Sequence, residues 1–171
     1  MRVVIETERL IVRPIVPEDY EACFKWCGDP DVAKYMIYPV YTSELGCKAY
    51  IESINPDDPD VCDLGIFYKE TGEAIGAGGF TYHPDENVWE VGYNIRKDMW
   101  GKGIVPEAMT AILEYIQSIR EVKVIAGTFA TENAKSRRVM EKLGMSYWYE
   151  CEFTKIDGSE TFKATRYKRD M

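Results

Sequence analysis

The chain has 171 residues, 46% of them hydrophobic and 29% charged, with a net charge of −8. This length suits one domain over residues 1–171, and the balance excludes a disordered chain. The acidic surplus, with no Lys/Arg run, argues against a nucleic-acid partner, and no apolar run approaches a membrane span.

The N-terminal stretch carries Glu6, Glu8 and Arg9 and so lacks the apolar core of a signal peptide; a soluble, cytoplasmic protein is expected. Five cysteines are scattered, with only Cys23 and Cys27 close, at an i, i+4 spacing. They read as free buried thiols of a reducing compartment, not as a disulfide framework, and no metal site is expected.

Arg9 to Arg13 reads as a short strand ended by Pro14. Pro17-Glu18-Asp19 opens a helix that runs to Cys27 and stops at Gly28-Asp29-Pro30. An irregular aromatic stretch, YMIYPVYTS (35–43), follows, and Thr42 or Ser43 caps a second helix through Ile54. The period then changes to that of strands. Leu64–Tyr68, Ala74–Tyr82 and Val88–Ile95, joined by tight turns, predict an antiparallel meander. Next comes MWGKGIVPEAMTAILEYI (99–116), then a strand at 122–127, a helix at 134–143 stopped by Gly144, and two strands near 146–154 and 160–168 turned by Asp157-Gly158.

In the 99–116 stretch, Ile104, Ala108, Ile112 and Ile116 recur at i, i+4 and predict an amphipathic helix with Pro106 in its first turn. A strand thus feeds a turn with glycines at 101 and 103 and then a helix N-terminus. Unpaired N–H groups and the positive end of the helix dipole converge there, and Lys102 adds charge. This geometry suits an anion such as a diphosphate. A Walker A loop does not match. Gly101-Lys102-Gly103 lacks the third glycine of a dinucleotide fingerprint, so NAD is disfavoured.

Further on, TENAKSRRVMEKLGM (131–145) completes a pattern. W-G-x-G-[IV], a helix, a strand, then N-x-x-S and V-x-E-K-L-G-M resemble the GNAT N-acetyltransferases. Glu90-Val91-Gly92-Tyr93, ETERLIVRP and EDYE are similar to the RimJ/RimL-like branch, which acetylates N-terminal amines of ribosomal proteins. The likeness covers essentially the whole chain.

The resemblance implies a mixed α/β fold of GNAT type, with a mostly antiparallel sheet of about six or seven strands and about four helices. It implies acetyl-CoA as cosubstrate and a primary amine as acceptor, in a monomer or homodimer. By the same resemblance, the pantetheine arm of CoA lies in a V between two splayed strands, lined by backbone groups of Asn94, Ile95 and Arg96. Trp100, Gly101, Lys102, Gly103 and Ile104 would hold the diphosphate, and Asn133 would bond the arm or hold the loop that does. The family's diphosphate loop often begins with Gln or Arg where this chain has Asp98, a gap Arg96 or Lys97 could fill. The branch's acidic residue four before a tyrosine is here Lys163, before Tyr167, which leaves the acceptor open.

Acetyl transfer needs an amine freed of its proton, donors for the oxyanion and a group to protonate the departing thiolate. Glu90, sharing a strand face with Gly92 and Asn94, is the candidate base, with a carboxyl that partial burial would raise. Ser136 is the candidate acid, with Tyr147 and Tyr149 as other donors. His83 is the alternative base, and Cys151 a remote candidate nucleophile. The 35–43 stretch is the candidate acceptor wall. Acceptors could be protein N-termini or small amines such as polyamines, antibiotics or amino-acid-like compounds. A non-catalytic acyl-CoA-binding module would use the same cleft.

Overall fold

The computed structural model describes residues 3–171. Among the described residues, eight strands form one sheet in the order β1-β2-β3-β4-β5-β6-β8-β7. These are β1 (Ile5–Glu6), β2 (Leu10–Arg13), β3 (Val61–Tyr68), β4 (Ala74–His83), β5 (Val88–Ile95), β6 (Val124–Ala130), β7 (Ser146–Thr154) and β8 (Thr161–Asp170). Only the β5–β6 pair is parallel; the other neighbours run antiparallel. The strand beyond the seven legible in sequence is β1, a two-residue element too short to show a period.

Five α-helices flank the sheet: α1 (Tyr20–Cys27), α2 (Pro30–Ala33), α3 (Glu44–Glu52), α4 (Ile104–Ile119) and α5 (Ala134–Lys142). Pro17–Asp19 forms a 3₁₀ turn ahead of α1. The sequence stops a helix at Asp29-Pro30, yet Pro30 starts α2, because Asp29 caps it by accepting from Asp31 N–H at 2.9 Å and proline suits a first helical position. Ser43, not Thr42, caps α3 through Gly46 N–H.

The two sheet faces bury separate cores. Ala108, Met109, Ile112 and Ile116 of α4 pack with Ile66, Phe80, Val91 and Ile125. On the other face Cys23, Trp26 and Cys27 of α1 and Cys47 and Ile51 of α3 pack with Phe67 and Ala74. The thiols of Cys23, Cys27 and Cys47 are buried and free, and burial pushes all three up; Cys62 and Cys151 are free but only half-buried. No helix among the described residues is long and apolar enough to cross a membrane.

Candidate active site

The parallel pairing of β5 with β6 covers only Trp89↔Ile125 and Glu90↔Ala126. Beyond it β6 keeps its partner β8 through Ala130, while β5 stays with β4 to Gly76↔Ile95. The two strands therefore part after Glu90. Along Val91–Ile95 the β5 edge facing β6 has no strand partner, so its amide groups face the gap.

A cleft of about 1340 Å³ occupies this gap. That exceeds the roughly 300–1,000 Å³ of an ordinary small-molecule pocket and leaves room for two substrates meeting end to end. Val91 and Ile95 turn toward the core under α4, and the Tyr93 hydroxyl reaches Ser136 at the start of α5. Glu90, Gly92 and Asn94 share the opposite face, where Asn94 Nδ2 donates to Tyr38 Oη at 2.6 Å. One mouth therefore belongs to the helix starts of α4 and α5. The other belongs to residues 31–38 and the β7–β8 hairpin.

At the first mouth Gly101 and Gly103 have φ of +75° and +73°, a left-handed backbone that glycine adopts without strain. A Cβ on Gly101 would meet nothing within 4 Å, so the turn is open to an approaching group. Gly103 caps α4, with the free N–H groups of Ile104 and Val105 behind it, while Pro106 has none to offer. Lys135, Arg138 and Lys142 of α5 line the cleft in a chain that is acidic overall. Lys135 Nζ stands 3.7 Å over the Trp100 ring, a cation–π contact that joins α5 to the turn.

The turn is held by residues that sequence pattern alone did not single out. Arg9 Nη1 donates to the Lys102 carbonyl at 2.8 Å, and Arg9 Nε pairs with Glu107 Oε1 at 2.8 Å. Thr7 Oγ1 donates to Glu107 Oε2 at 2.6 Å. Burial pushes the Glu107 carboxyl up, but bonds from Thr7 and Arg9 overcome it and hold it below its ordinary value. The folded state thus binds this proton more weakly than the unfolded chain. The stabilisation is complete above about pH 4.5 and is lost as pH falls through the lower folded value. Glu107→Gln is expected to flatten that acid limb, read by thermal unfolding across pH.

The predicted cofactor residues divide by position. Asn94, Ile95, Trp100, Gly101, Gly103, Ile104 and Asn133 line the cleft. The Lys102 side chain is exposed and does not line it. Arg96 turns away: its guanidinium binds Asp98 at 2.6 Å and Glu73 at 3.3 Å, and its N–H donates to Ile75 O. Lys97 pairs with Asp31 at 2.6 Å. The Ile95 carbonyl accepts from the Trp100 indole at 3.1 Å. Asn133 Oδ1 accepts from Ser136 N–H and caps α5.

The residues that line the cleft fit a CoA thioester. Unpaired amides along β5 suit the amide groups of a pantetheine arm, the glycine turn suits a diphosphate, and buried Asn94 Oδ1 has no partner among the described residues.

Past the splay, Glu90 stands in a polar cluster, its side chain 27% exposed. Thr128 Oγ1 donates to Glu90 Oε1 at 3.0 Å, His83 Nε2 lies 3.1 Å from Oε2, and Arg166 Nη2 lies 3.8 Å from Oε2. The pairing Thr81↔Glu90 puts His83 diagonally across from Glu90, one step farther from the splay. His83 therefore ends β4 beside the candidate base. Arg166 is 6% exposed. Burial opposes its charge, but bonds to Glu86 and Tyr149, with Glu90 nearby, hold its guanidinium charged. An arginine on a final strand carries no sequence signal; only the β6–β8 pairing Thr128↔Arg166 brings it here.

Ser136 Oγ and Tyr93 Oη share a 2.6 Å hydrogen bond, and burial pushes the Tyr93 phenol up, so it stays protonated at neutral pH. Burial, offset in part by Arg166, also raises the Cys151 thiol, which disfavours a thiolate nucleophile there. Among the described residues no group of three or more His, Cys, Asp or Glu could hold a metal ion.

A mixed sheet that parts between two parallel strands, with a glycine turn at a helix start on one side and a carboxylate on the other, defines a CoA-dependent acyltransferase fold. The comparisons agree. An acetyltransferase (GNAT) domain model matches residues 9–146, and the chain belongs to the GNAT family. An uncharacterized N-acetyltransferase, p20, of Bacillus licheniformis is 31% identical over 140 residues, 80% of this chain and 79% of that one. A GNAT-family acetyltransferase structure from Bacillus anthracis superposes with a TM-score of 0.82 at 26% identity, covering 98% of both chains. At the level of fold, a Salmonella typhimurium acetyltransferase that modifies the N-terminal serine of ribosomal protein L7/L12 superposes with a TM-score of 0.82 at 13% identity, over 99% of both chains.

Proposed function

We propose that this N-acetyltransferase moves an acetyl group from acetyl-CoA directly to a primary amine in a ternary complex, and that the amine is the N-terminus of a protein. The observation that carries the transfer is the juxtaposition, on one strand, of an open splay and the hydrogen-bonded carboxylate of Glu90 beside it. The amine enters from the 31–38 side, and Glu90 receives its proton directly or through water. Backbone N–H groups at the splay stabilise the oxyanion. The acetyl group passes to the amine nitrogen as the C–S bond breaks, and Ser136 passes a proton to the thiolate and regains one from solvent, while Glu90 releases the amine's proton to solvent as the products leave.

Tyr93 supports that last step. When its phenol donates to Ser136 Oγ, the serine O–H is free to point into the cleft. Ser136→Ala and Tyr93→Phe are each expected to lower turnover up to about a hundredfold. Because the two act as one chain, the double variant should lose no more than the worse single one. Steady-state kinetics check this; additive losses would separate the two residues.

The reading as a whole is tested by thermal unfolding with acetyl-CoA, CoA, NAD or ATP, followed by an amine panel. A ligand at about 100 times its Kd stabilises by roughly 2.7 kcal/mol, several degrees for a domain of this size. A shift with CoA species alone is expected, then turnover with peptides bearing free N-termini above that with spermidine. The RimL-type neighbour supports the peptide acceptor by fold alone; preference for spermidine would replace that acceptor with a small polyamine.

A further inference from the structure

The wall of the second mouth is fastened from outside. Lys155, at the tip of the β7–β8 hairpin, sends its ammonium across to residues 33–38, where it donates to the carbonyls of Ala33 at 2.8 Å, Met36 at 2.7 Å and Tyr38 at 3.3 Å. Three acceptors satisfy the three N–H bonds of an ammonium. Next to it Ile156 N–H donates to Ile37 O at 2.8 Å, and Tyr35 meets Phe162 edge-on at 5.7 Å. From below, Asn94 holds the same segment through Tyr38. The clasped backbone carries Lys34, Tyr35, Met36 and Ile37 into the cleft, opposite Glu152 and Phe153 of β7.

We propose that Lys155 is a positioning residue for the acceptor: by chelating three carbonyls of the 33–38 segment it fixes the acceptor wall and keeps bulk water from the acetyl group. The inference rests on the amine entering on that face. Among the described residues no hydrogen bond or ion pair joins Lys155 itself to the glycine turn or to α5. The segment it clasps meets the cofactor side only through Tyr38–Asn94 and Asp31–Lys97, which its loss leaves in place, so the effect is expected on the acceptor side. A half-buried lysine serves better here than a surface one. Desolvation lowers its pKa, with Glu160 and Asp157 opposing, and strengthens each bond it makes to a carbonyl. A closed wall matters to an acyltransferase because water competes with the amine for the thioester.

The test compares the full-length wild type with Lys155→Met and Lys155→Arg, using acetyl-CoA alone as the probe. Three quantities are measured: the thermal shift given by acetyl-CoA, its hydrolysis without any amine, and hydrogen exchange at the Met36 and Ile156 amides. Lys155→Met is expected to keep the thermal shift, raise hydrolysis at least fivefold and speed exchange at both amides. Lys155→Arg, which still donates to carbonyls, should restore most of both effects. Faster exchange with unchanged hydrolysis would make the clasp merely structural and overturn the inference, as would loss of the thermal shift in Lys155→Met alone. A wild type that acetyl-CoA does not stabilise would instead fail the acetyltransferase reading, and this inference with it.

Discussion

Glu90→Gln is expected to lower turnover roughly a hundred- to ten-thousand-fold while leaving acetyl-CoA affinity unchanged. The magnitude is that of a general base. The separation of effects follows from where Glu90 stands. In the proposed reading the glycine turn and α5 would hold one end of the cofactor, whereas Glu90 lies where β5 and β6 last pair, beside Thr128. Glutamine preserves volume and still accepts the Thr128 hydroxyl through its amide oxygen. What it loses is the ability to take a proton. His83, 3.1 Å away, would then be the remaining base in the cluster, and the residual rate should depend on it. Steady-state kinetics with titration calorimetry for acetyl-CoA checks both halves. Unchanged turnover would remove Glu90 as base. No turnover in the wild type, with intact binding, would favour an acyl-CoA-binding module.

The sequence exposes the parts of this site that obey local rules. The amphipathic period of α4 marks its start, and glycines at 101 and 103 mark a left-handed turn ahead of it. Alternation on β5 places Glu90, Gly92 and Asn94 on one face. Sequence narrows the α3 cap to Thr42 or Ser43 but does not show the cap that Asn133 gives α5. Long-range pairing is harder to read. The clasp of Arg9 on the glycine turn spans more than 90 residues, and that of Lys155 on residues 33–38 spans more than 115. Arg166 reaches Glu90 only because β8 inserts between β6 and β7, an order no local pattern encodes. Lys102 and Arg96 show the converse. Charge beside a diphosphate turn suggests a phosphate contact, yet Arg96 spends its charge on Asp98 and Glu73, and Lys102 contributes its carbonyl to Arg9. The groups that line the cleft there are the glycine turn and the Lys135, Arg138 and Lys142 side chains of α5.

Gly92→Val should separate folding from function. Most glycines of the central strands are required by packing: a Cβ on Gly78 would come within 2.8 Å of the Gly92 carbonyl, and one on Gly76 would come to 2.5 Å from the Asn94 carbonyl. Gly92 is different. An added Cβ there meets nothing within 4 Å, and the residue lines the cleft between Glu90 and Asn94. The fold therefore does not need glycine at this position. Valine suits a strand and costs less backbone entropy, so stability should hold or rise by up to about 1 kcal/mol. Its methyl groups would project into the cleft, into the space that the proposed reading gives to thioester and amine. Overpacking a site costs about 1–3 kcal/mol, or roughly a five- to 150-fold weakening of acetyl-CoA. Turnover should fall further, because displacing reacting atoms by about 1 Å costs around a hundredfold more. Thermal unfolding with and without acetyl-CoA, beside kinetics, reads all three. A valine variant as stable as the wild type but blind to acetyl-CoA would place the cofactor's reactive end against Gly92. Unimpaired binding and turnover would move it elsewhere in the cleft.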